Sequence, residues 1–229
     1  MRYFNIKNRH AFTMIELIMV IIVLGILASL ALPRLDRDLR QEAADSILSD
    51  IRYTQHLALM DDMHEFDDPK WQQKYWRIVF SSCSDEKKHY YMIGSDTNKS
   101  NSTNAFFART EAAIDPVNNK PMFGDLGLCN SDGDSTVSDR MFITKKFGIK
   151  AVSFNGGCNR SVNGSGGKHL GFDHLGRPHH GFSKSPAPNY ASYMTQACVM
   201  TFTLSDNSIF QINIAPETGY AHIVNQNAS

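Results

Sequence analysis

Residues 12–32 read FTMIELIMVIIVLGILASLAL and decide the architecture of the chain. Glu16 is the one charged residue in this stretch. A helix of this length measures about 31 Å, which is enough to cross the hydrocarbon core of a bilayer. The preceding segment, MRYFNIKNRHA, carries basic residues and no acidic ones, and this pattern places the N-terminus in the cytoplasm. We therefore predict a single-pass transmembrane helix at 12–32, with the rest of the chain on the other side of the membrane.

Two ordinary alternatives to this assignment are a secretory signal peptide cut near 28–31, and a plain membrane anchor. Glu16 argues against both, because a carboxylate inside a membrane span costs roughly 2.5–3.5 kcal/mol and needs a partner. If the chain were cut before Phe12, the new amine would lie about one helical turn from Glu16. The position of the acid therefore favours processing at that point.

The segment Ala11-Phe12-Thr13-Met14-Ile15-Glu16-Leu17 resembles the type IV prepilin motif, in which a small residue precedes Phe-Thr-x-x-Glu. The basic leader and the position of Pro33 also match, whereas Ala11 stands where the family usually has Gly. The resemblance implies that a prepilin peptidase cuts between Ala11 and Phe12 and that the Phe12 amine is then methylated. It also implies that Glu16 pairs with the Phe12 amine of a neighbouring subunit during assembly.

Residues 33–60 read as a polar, amphipathic continuation of the same helix. Apolar residues recur every four positions from Leu35 to Ile51, which is typical of a helix with one buried face. Pro33 removes a backbone donor and Gly25 weakens the helix, so we expect a kink in this region.

Residues 61–229 alternate short strand-like runs with turn-rich stretches, which indicates a β-rich domain outside the cytoplasm. The predicted extended segments are 75–81, 89–93, 141–144, 149–154, 170–172, 198–204, 208–214 and 220–224. We predict that 75–81 pairs with 89–93, and that 198–204 pairs with 208–214 through a turn at 205–207. The fold class that follows is α+β and pilin-like: a long N-terminal helix, first transmembrane and then amphipathic, packed on a mainly antiparallel sheet. The predicted divisions are a leader at 1–11, a membrane or filament-core helix at 12–32, its continuation at 33–60 and the periplasmic domain at 61–229.

Two stretches near the C-terminus resemble minor pseudopilins of the GspH/FimT type. They are His169–Pro178, which contains Phe-Asp-x-x-Gly-Arg, and the turn Pro216–Tyr220. The extended segment 149–154 before them and the 198–214 hairpin between them belong to the same resemblance. In the DNA-binding members of that group the near-terminal turn is basic, whereas here it reads Gly219-Tyr220-Ala221-His222. The resemblance therefore gives no support to DNA contact at this turn.

Four cysteines lie beyond the apolar stretch, and an even number in an exported domain indicates two disulfides. Their spacing fits no zinc motif. Three pairings are possible, and we favour Cys83 with Cys129 and Cys158 with Cys198, because each joins a strand end to a nearby loop. Four reduced, buried thiols are the alternative.

Weaker patterns raise three further sites. Oxygen-bearing side chains at alternate positions resemble part of a calcium loop, although the glycine and the final acid of such loops are missing; these residues are Asn130, Asp132, Asp134 and Asp139. Four histidines within twelve residues could bind a metal, but we expect them in a surface loop; they are His169, His174, His179 and His180. Asn98 begins an Asn-x-Ser sequon with Asp96 two residues before it, which some bacterial N-glycosylation systems use.

Composition and motifs together predict a structural component and not an enzyme. The chain balances 23 basic against 23 acidic residues, and no nucleophile, zinc or phosphate-loop motif occurs in it. We expect a minor pilin or pseudopilin without a cofactor, calcium aside. Its expected partners are other pilins, the prepilin peptidase and an inner-membrane assembly platform.

The alternative function is DNA capture by a competence pilin. Lysines at 87–88, 145–146 and 150 could contact phosphate. The domain from 61 to 229 has 16 basic and 17 acidic residues, a net charge of −1, which argues against this function. The sequence leaves open whether the machine is a type II secretion system, a type IV pilus or a competence apparatus.

Overall fold

The chain forms one long helix followed by two antiparallel β-sheets. The computed structural model describes residues 13–84, 87–100, 106–158 and 168–225, and within these it describes the backbone alone for 30–38. The α+β class with antiparallel sheets is thereby confirmed, while the pilin-like fold stays a prediction.

Helix α1 spans Met14–Met60 and is continuous through Gly25 and Pro33. Neither residue ends the helix, and the predicted kink stays a prediction. The chain divides into two compact units between Leu39 and Arg40, so residues 40–60 of α1 belong with the sheets.

Over the described residues, no helix carries an apolar stretch long enough to cross a membrane. The predicted span at 12–32 includes residue 12 and the side chains of 30–32, which lie outside the described part of the chain.

Within the part of the chain that the structure describes, eight strands form two four-stranded sheets in which every pairing is antiparallel. In the first sheet the order is β2-β1-β4-β5; its strands are β1 (Trp76–Ser82), β2 (His89–Gly94), β4 (Lys168–Phe172) and β5 (Pro178–His179). In the second sheet the order is β3-β6-β7-β8; its strands are β3 (Ile149–Gly156), β6 (Cys198–Leu204), β7 (Ile209–Ile214) and β8 (Ala221–Ile223). The predicted β1–β2 and β6–β7 pairs are therefore confirmed.

The β6–β7 hairpin turns on three residues, 205–207. Asn207 adopts a positive φ of 68°, the left-handed conformation that is typical of the last residue in a three-residue hairpin loop, and the Asp206 carboxylate accepts the N–H of Ser208 at 2.8 Å. This local chemistry explains why the sequence alone predicted the turn.

The core lies between the last part of α1 and the inner faces of both sheets. Ala43, Ile47 and Ile51 are completely or almost completely buried, as the four-residue periodicity predicted. Phe80 of the first sheet contacts Phe154 and Phe202 of the second, with ring centroids 5.6 and 5.7 Å apart. The two sheets therefore share one aromatic core.

The two sheets differ in how they are covered. Strand β6 alternates buried and half-buried residues, which is typical of a sheet with one solvated face. In the first sheet both faces are buried, because loops cover the face away from the helix: Val79 and Met92 form a second small core with Phe107.

The prediction of an extended segment at 141–144 was wrong. Met141 ends a 3-10 turn, and Ile143–Phe147 form helix α3. The reason is Gly148, whose φ of 68° provides the left-handed position that terminates a helix, with its N–H donating to the Thr144 carbonyl at 2.9 Å. A further short helix, α2, spans Leu126–Asn130.

Candidate functional site

Thr13 precedes helix α1 and caps its N-terminus. Its carbonyl accepts the N–H groups of Glu16 and Leu17 at 3.1 and 3.2 Å, and its Oγ1 lies 3.3 Å from the Glu16 nitrogen. This is half of a capping box, in which a threonine caps a helix whose third residue is glutamate. Sequence reasoning missed this role, although the Thr-x-x-Glu spacing signals it. The predicted cleavage and methylation positions, Ala11 and Phe12, lie outside the described residues.

The first turns of α1 expose almost every apolar side chain they carry. Large hydrophobic residues from Met14 to Leu27 are between 48% and 82% exposed. Contiguous apolar surface of this extent marks a site that another surface covers, because monomeric soluble proteins rarely leave so much in water.

Glu16 lies among these apolar residues on the same segment. Within the described part of the chain its carboxylate has no hydrogen-bond or ion-pair partner. A carboxylate that enters an apolar environment without a partner is costly, so burial of this helix favours a cationic partner or a proton on Glu16.

At the other end of α1, Gln55 joins two turns that are distant in sequence. Its Nε2 donates to the Gly176 carbonyl at 2.8 Å and to the Thr218 carbonyl at 2.9 Å. Gly219 is in contact with the first of these turns, since a Cβ at Gly219 would lie 2.4 Å from the Gly176 oxygen. Arg52 adds a hydrogen bond to the Ala221 carbonyl at 2.9 Å. The two stretches that resemble minor pseudopilins therefore meet on one helix.

Asp173 organises the first of these turns. Its Oδ1 accepts the N–H groups of Leu175 and Arg177 at 3.0 and 2.9 Å, and its Oδ2 lies 2.7 Å from both Nε and Nη2 of Arg177. Burial alone would raise the pKa of Asp173, but hydrogen bonds from His179 and Arg177 outweigh it and hold the pKa well below its usual value. The aspartate is therefore ionised, and since it can only accept, His179 Nε2 carries the proton that faces it at 3.2 Å.

Ser192, His179 and Asp173 are hydrogen-bonded in a line, the residue types of a hydrolase triad. His179 Nδ1 lies 2.9 Å from Ser192 Oγ. However, Ser192 is only 2% exposed, and its hydroxyl oxygen also lies 2.7 Å from the Asn189 carbonyl, which competes with His179 for the one hydroxyl hydrogen. The adjoining cavity of about 10 Å³ has no room for a substrate. The hydrogen bonds of His179 with Asp173 and Ser192 connect β5 to the 190–192 turn. The expectation that the chain is not an enzyme stays a prediction.

The expectation that the histidines occupy a surface loop was wrong. His169, His179 and His180 are buried, and the rings of His169 and His180 stack with centroids 5.1 Å apart. The loop folds inward because Gly171 leaves space for Phe182: a Cβ at Gly171 would lie 2.2 Å from the Phe182 ring. His174 is the exception, lying partly exposed with Nδ1 3.4 Å from an Asp62 oxygen.

The four residues considered for calcium are engaged separately. Asp132 pairs with Lys88 at 2.9 Å, and Asp139 with Lys146 at 3.3 Å. Asp134 accepts the Thr136 N–H at 2.7 Å, and Asn130 Nδ2 lies 3.4 Å from Ser84 Oγ. Across the residues that the structure describes, no three His, Cys, Asp or Glu side chains are placed to hold a metal ion. The structure therefore does not assemble the calcium site.

The lysines considered for DNA contact are largely engaged within the chain. Lys88 and Lys146 are ion-paired as described, and Lys145 Nζ donates to the Asp132 carbonyl at 2.9 Å. Lys150 donates to the Asn207 side chain. The two ion pairs offset part of the positive charge that a phosphate backbone could contact, whereas Lys145 and Lys150 donate to neutral acceptors and keep their charge.

All four cysteines form disulfides in the favoured pairs. Cys83 is bonded to Cys129 with Cα atoms 5.4 Å apart, and Cys158 to Cys198 with Cα atoms 5.1 Å apart. The first bond ties the end of β1 to α2, and the second ties β3 to the start of β6. Paired cysteines are typical of proteins in oxidising compartments.

Asn98 is exposed in the 95–100 turn, where its backbone N–H donates to the Glu111 carboxylate at 2.9 Å and its side-chain oxygen accepts the Ser100 N–H at 2.8 Å. Asp96, two residues upstream, is buried. Modification at Asn98 stays untested.

Comparison with known proteins adds one finding, at the N-terminus. Residues 6–32 match the family model described as the prokaryotic N-terminal methylation motif. No curated protein and no solved structure matches the chain. The segment that contains Thr13, Glu16 and the exposed apolar turns of α1 thus carries a methylation motif typical of type IV pilins and pseudopilins.

Proposed function

We propose that this chain is a minor pilin or pseudopilin, a structural subunit of a type II secretion pseudopilus or a type IV pilus. The observation that carries the proposal is the exposed apolar start of α1, which lies within the methylation motif. A helix surface of this kind is stable only when a membrane or other helices cover it.

The proposed order of events begins in the inner membrane, with the N-terminus cytoplasmic and the sheet domain periplasmic. The prepilin peptidase removes residues 1–11 and the Phe12 amine is methylated. The assembly platform then moves the subunit into a filament, where its apolar turns pack against those of neighbouring subunits.

Glu16 supplies specificity in this assembly. Its carboxylate lacks a partner within the described part of the chain, and the Phe12 amine of a neighbour would neutralise it in the apolar bundle. Since an unpaired charge is costly there, the pair sets the axial register of the subunits.

The two turns held by Gln55 support the finer proposal of a minor pseudopilin of the GspH/FimT type. Both stretches that carry that resemblance are adjacent, and Gly176 and Gly219 permit their close approach. The domain they belong to would provide contacts specific to the tip or to a partner.

The test combines processing with assembly in the full-length chain expressed in a host that assembles filaments. Mass spectrometry of the mature protein should find N-methyl-phenylalanine at residue 12. Glu16→Ala should be processed normally yet be absent from sheared filaments, while Glu42→Ala, an exposed glutamate on the same helix, should be incorporated.

A mature protein that begins at residue 1 or near residue 32 would overturn the proposal. Equal incorporation of Glu16→Ala and wild type would remove the role assigned to Glu16.

A further inference from the structure

A buried cluster of charges fastens α1 to the domain. Asp50 of α1 accepts hydrogen bonds from the Tyr91 hydroxyl of β2 and from Arg140 Nη2. Arg140 Nη1 also lies 3.4 Å from Asp115 Oδ1, and Ser138 Oγ donates to Asp115 Oδ2 at 2.6 Å. One guanidinium thus connects the helix to the segment that contains Asp115.

The charges in this cluster do not balance. Asp50 and Asp115 are 2% and 0% exposed, and they share Arg140, so the ionised cluster carries a net charge of −1 away from water. Burial and a like charge both favour the neutral form of a carboxyl group. An acidic cluster of this composition therefore takes up a proton more readily than an exposed aspartate does.

The pKa of Asp50 is raised to about 6, first by burial and also by the charge of Asp115, although Tyr91 and Arg140 oppose the rise. Tyr53, from the same helix, approaches the cluster and donates to the Ile114 carbonyl at 2.9 Å. Burial and the two carboxylates raise the pKa of Tyr53, so this side chain stays neutral and adds no charge.

We propose that Asp50, Asp115 and Arg140 form a proton-sensitive clamp, which binds one proton in a mildly acidic medium and then holds α1 to the sheet domain more firmly. The proton enters at Asp50, whose Oδ2 faces the Tyr91 oxygen, while Arg140 keeps its contact with Asp115. With Asp50 protonated, the three side chains carry no net charge. Near pH 7 both carboxyl groups are ionised, and the buried cluster carries a net charge of −1.

The sign of the pH effect follows from the two states. Asp50 titrates near 3.8 when unfolded and near 6 when folded, so the folded chain binds more protons between these values. Stability from this group therefore rises as the pH falls from about 7 to about 4.

Denaturant unfolding of the full-length chain in detergent at pH 7 and pH 4.5 tests the clamp. The unfolding constant of the wild type should fall roughly 20-fold more than that of Asp50→Asn over this range. Asp45→Asn, an exposed aspartate on the same helix, should respond like the wild type. Amide hydrogen exchange of residues 40–60, corrected for intrinsic rates, should be slower at pH 4.5 than at pH 7 in the wild type. Asp50→Asn should not show this slowing.

An identical pH response in the wild type and Asp50→Asn would overturn the clamp. If Asp50→Asn does not fold, infrared titration of the wild type provides the result: a protonated carboxyl band should appear with a midpoint near pH 6. Absence of that band above pH 5 would equally refute the proposal.

Discussion

Gln55→Ala should loosen the two turns that meet on α1. Gln55 Nε2 donates to the carbonyls of Gly176 and Thr218, which are 121 and 163 residues away in sequence. The substitution removes both hydrogen bonds and leaves the helix backbone unchanged, since alanine is a good helix former.

The expected cost comes mainly from the first carbonyl. Gly176 is buried, and a buried acceptor that loses its donor costs about 1–3 kcal/mol. Thr218 is exposed, so water replaces the lost donor at little cost. The free energy of unfolding should therefore fall by about 1–2.5 kcal/mol, which lowers the Tm of a domain this size by about 2–10 °C.

Thermal and denaturant unfolding of the full-length chain in detergent measure this change. Gln41→Ala is the matched control, because Gln41 is exposed on the same helix and, among the described residues, donates to the exposed Asp45 at 2.9 Å. We expect the control to change stability by less than about 0.5 kcal/mol. If Gln55→Ala costs no more than Gln41→Ala, the reasoning that Gln55 holds the two turns is refuted.

Two further predictions concern stability. Either disulfide can be removed by a double substitution, Cys83→Ala with Cys129→Ala or Cys158→Ala with Cys198→Ala. In the chain-entropy model each double variant should lose about 4 kcal/mol of unfolding free energy, measured by denaturant unfolding. A double variant as stable as the wild type would contradict the structural role of its disulfide. Because the pKa of Asp173 is lowered in the fold, its contribution is present above the unfolded value of 3.8 and is lost as the pH falls toward the lower folded value. The free energy of unfolding, measured from pH 5 to pH 2, should thus fall less steeply in Asp173→Asn than in the wild type. An equal fall in both proteins would exclude a stabilising role for ionised Asp173.

Features encoded by neighbouring residues were accessible from the sequence. The four-residue apolar period marked the buried face of α1, and Asp206 and Asn207 marked the β6–β7 turn. The methylation motif was visible because it is a short contiguous segment, at residues 6–32. In each case the physical cause, a helical repeat or a turn conformation, acts within a few residues.

Other features arise only where distant segments meet. The burial of the histidines depends on Phe182, which packs over Gly171. The segment Met141–Thr144 has the residue types of a strand, but in the structure it leads into a short helix that ends at Gly148. Nothing near Gln55 in the sequence points to its two acceptors.

The sequence by itself determined that an apolar stretch with one acidic residue precedes a β-rich domain that contains four cysteines. Only the tertiary structure decided that Gln55 joins two turns and that Asp50 and Asp115 share Arg140. The physical reason is that burial and charge balance are properties of a shared environment. A carboxylate near position 50 is ordinary on an exposed helix face, and it becomes unusual only when a second carboxylate, 65 residues later in the chain, is buried beside it.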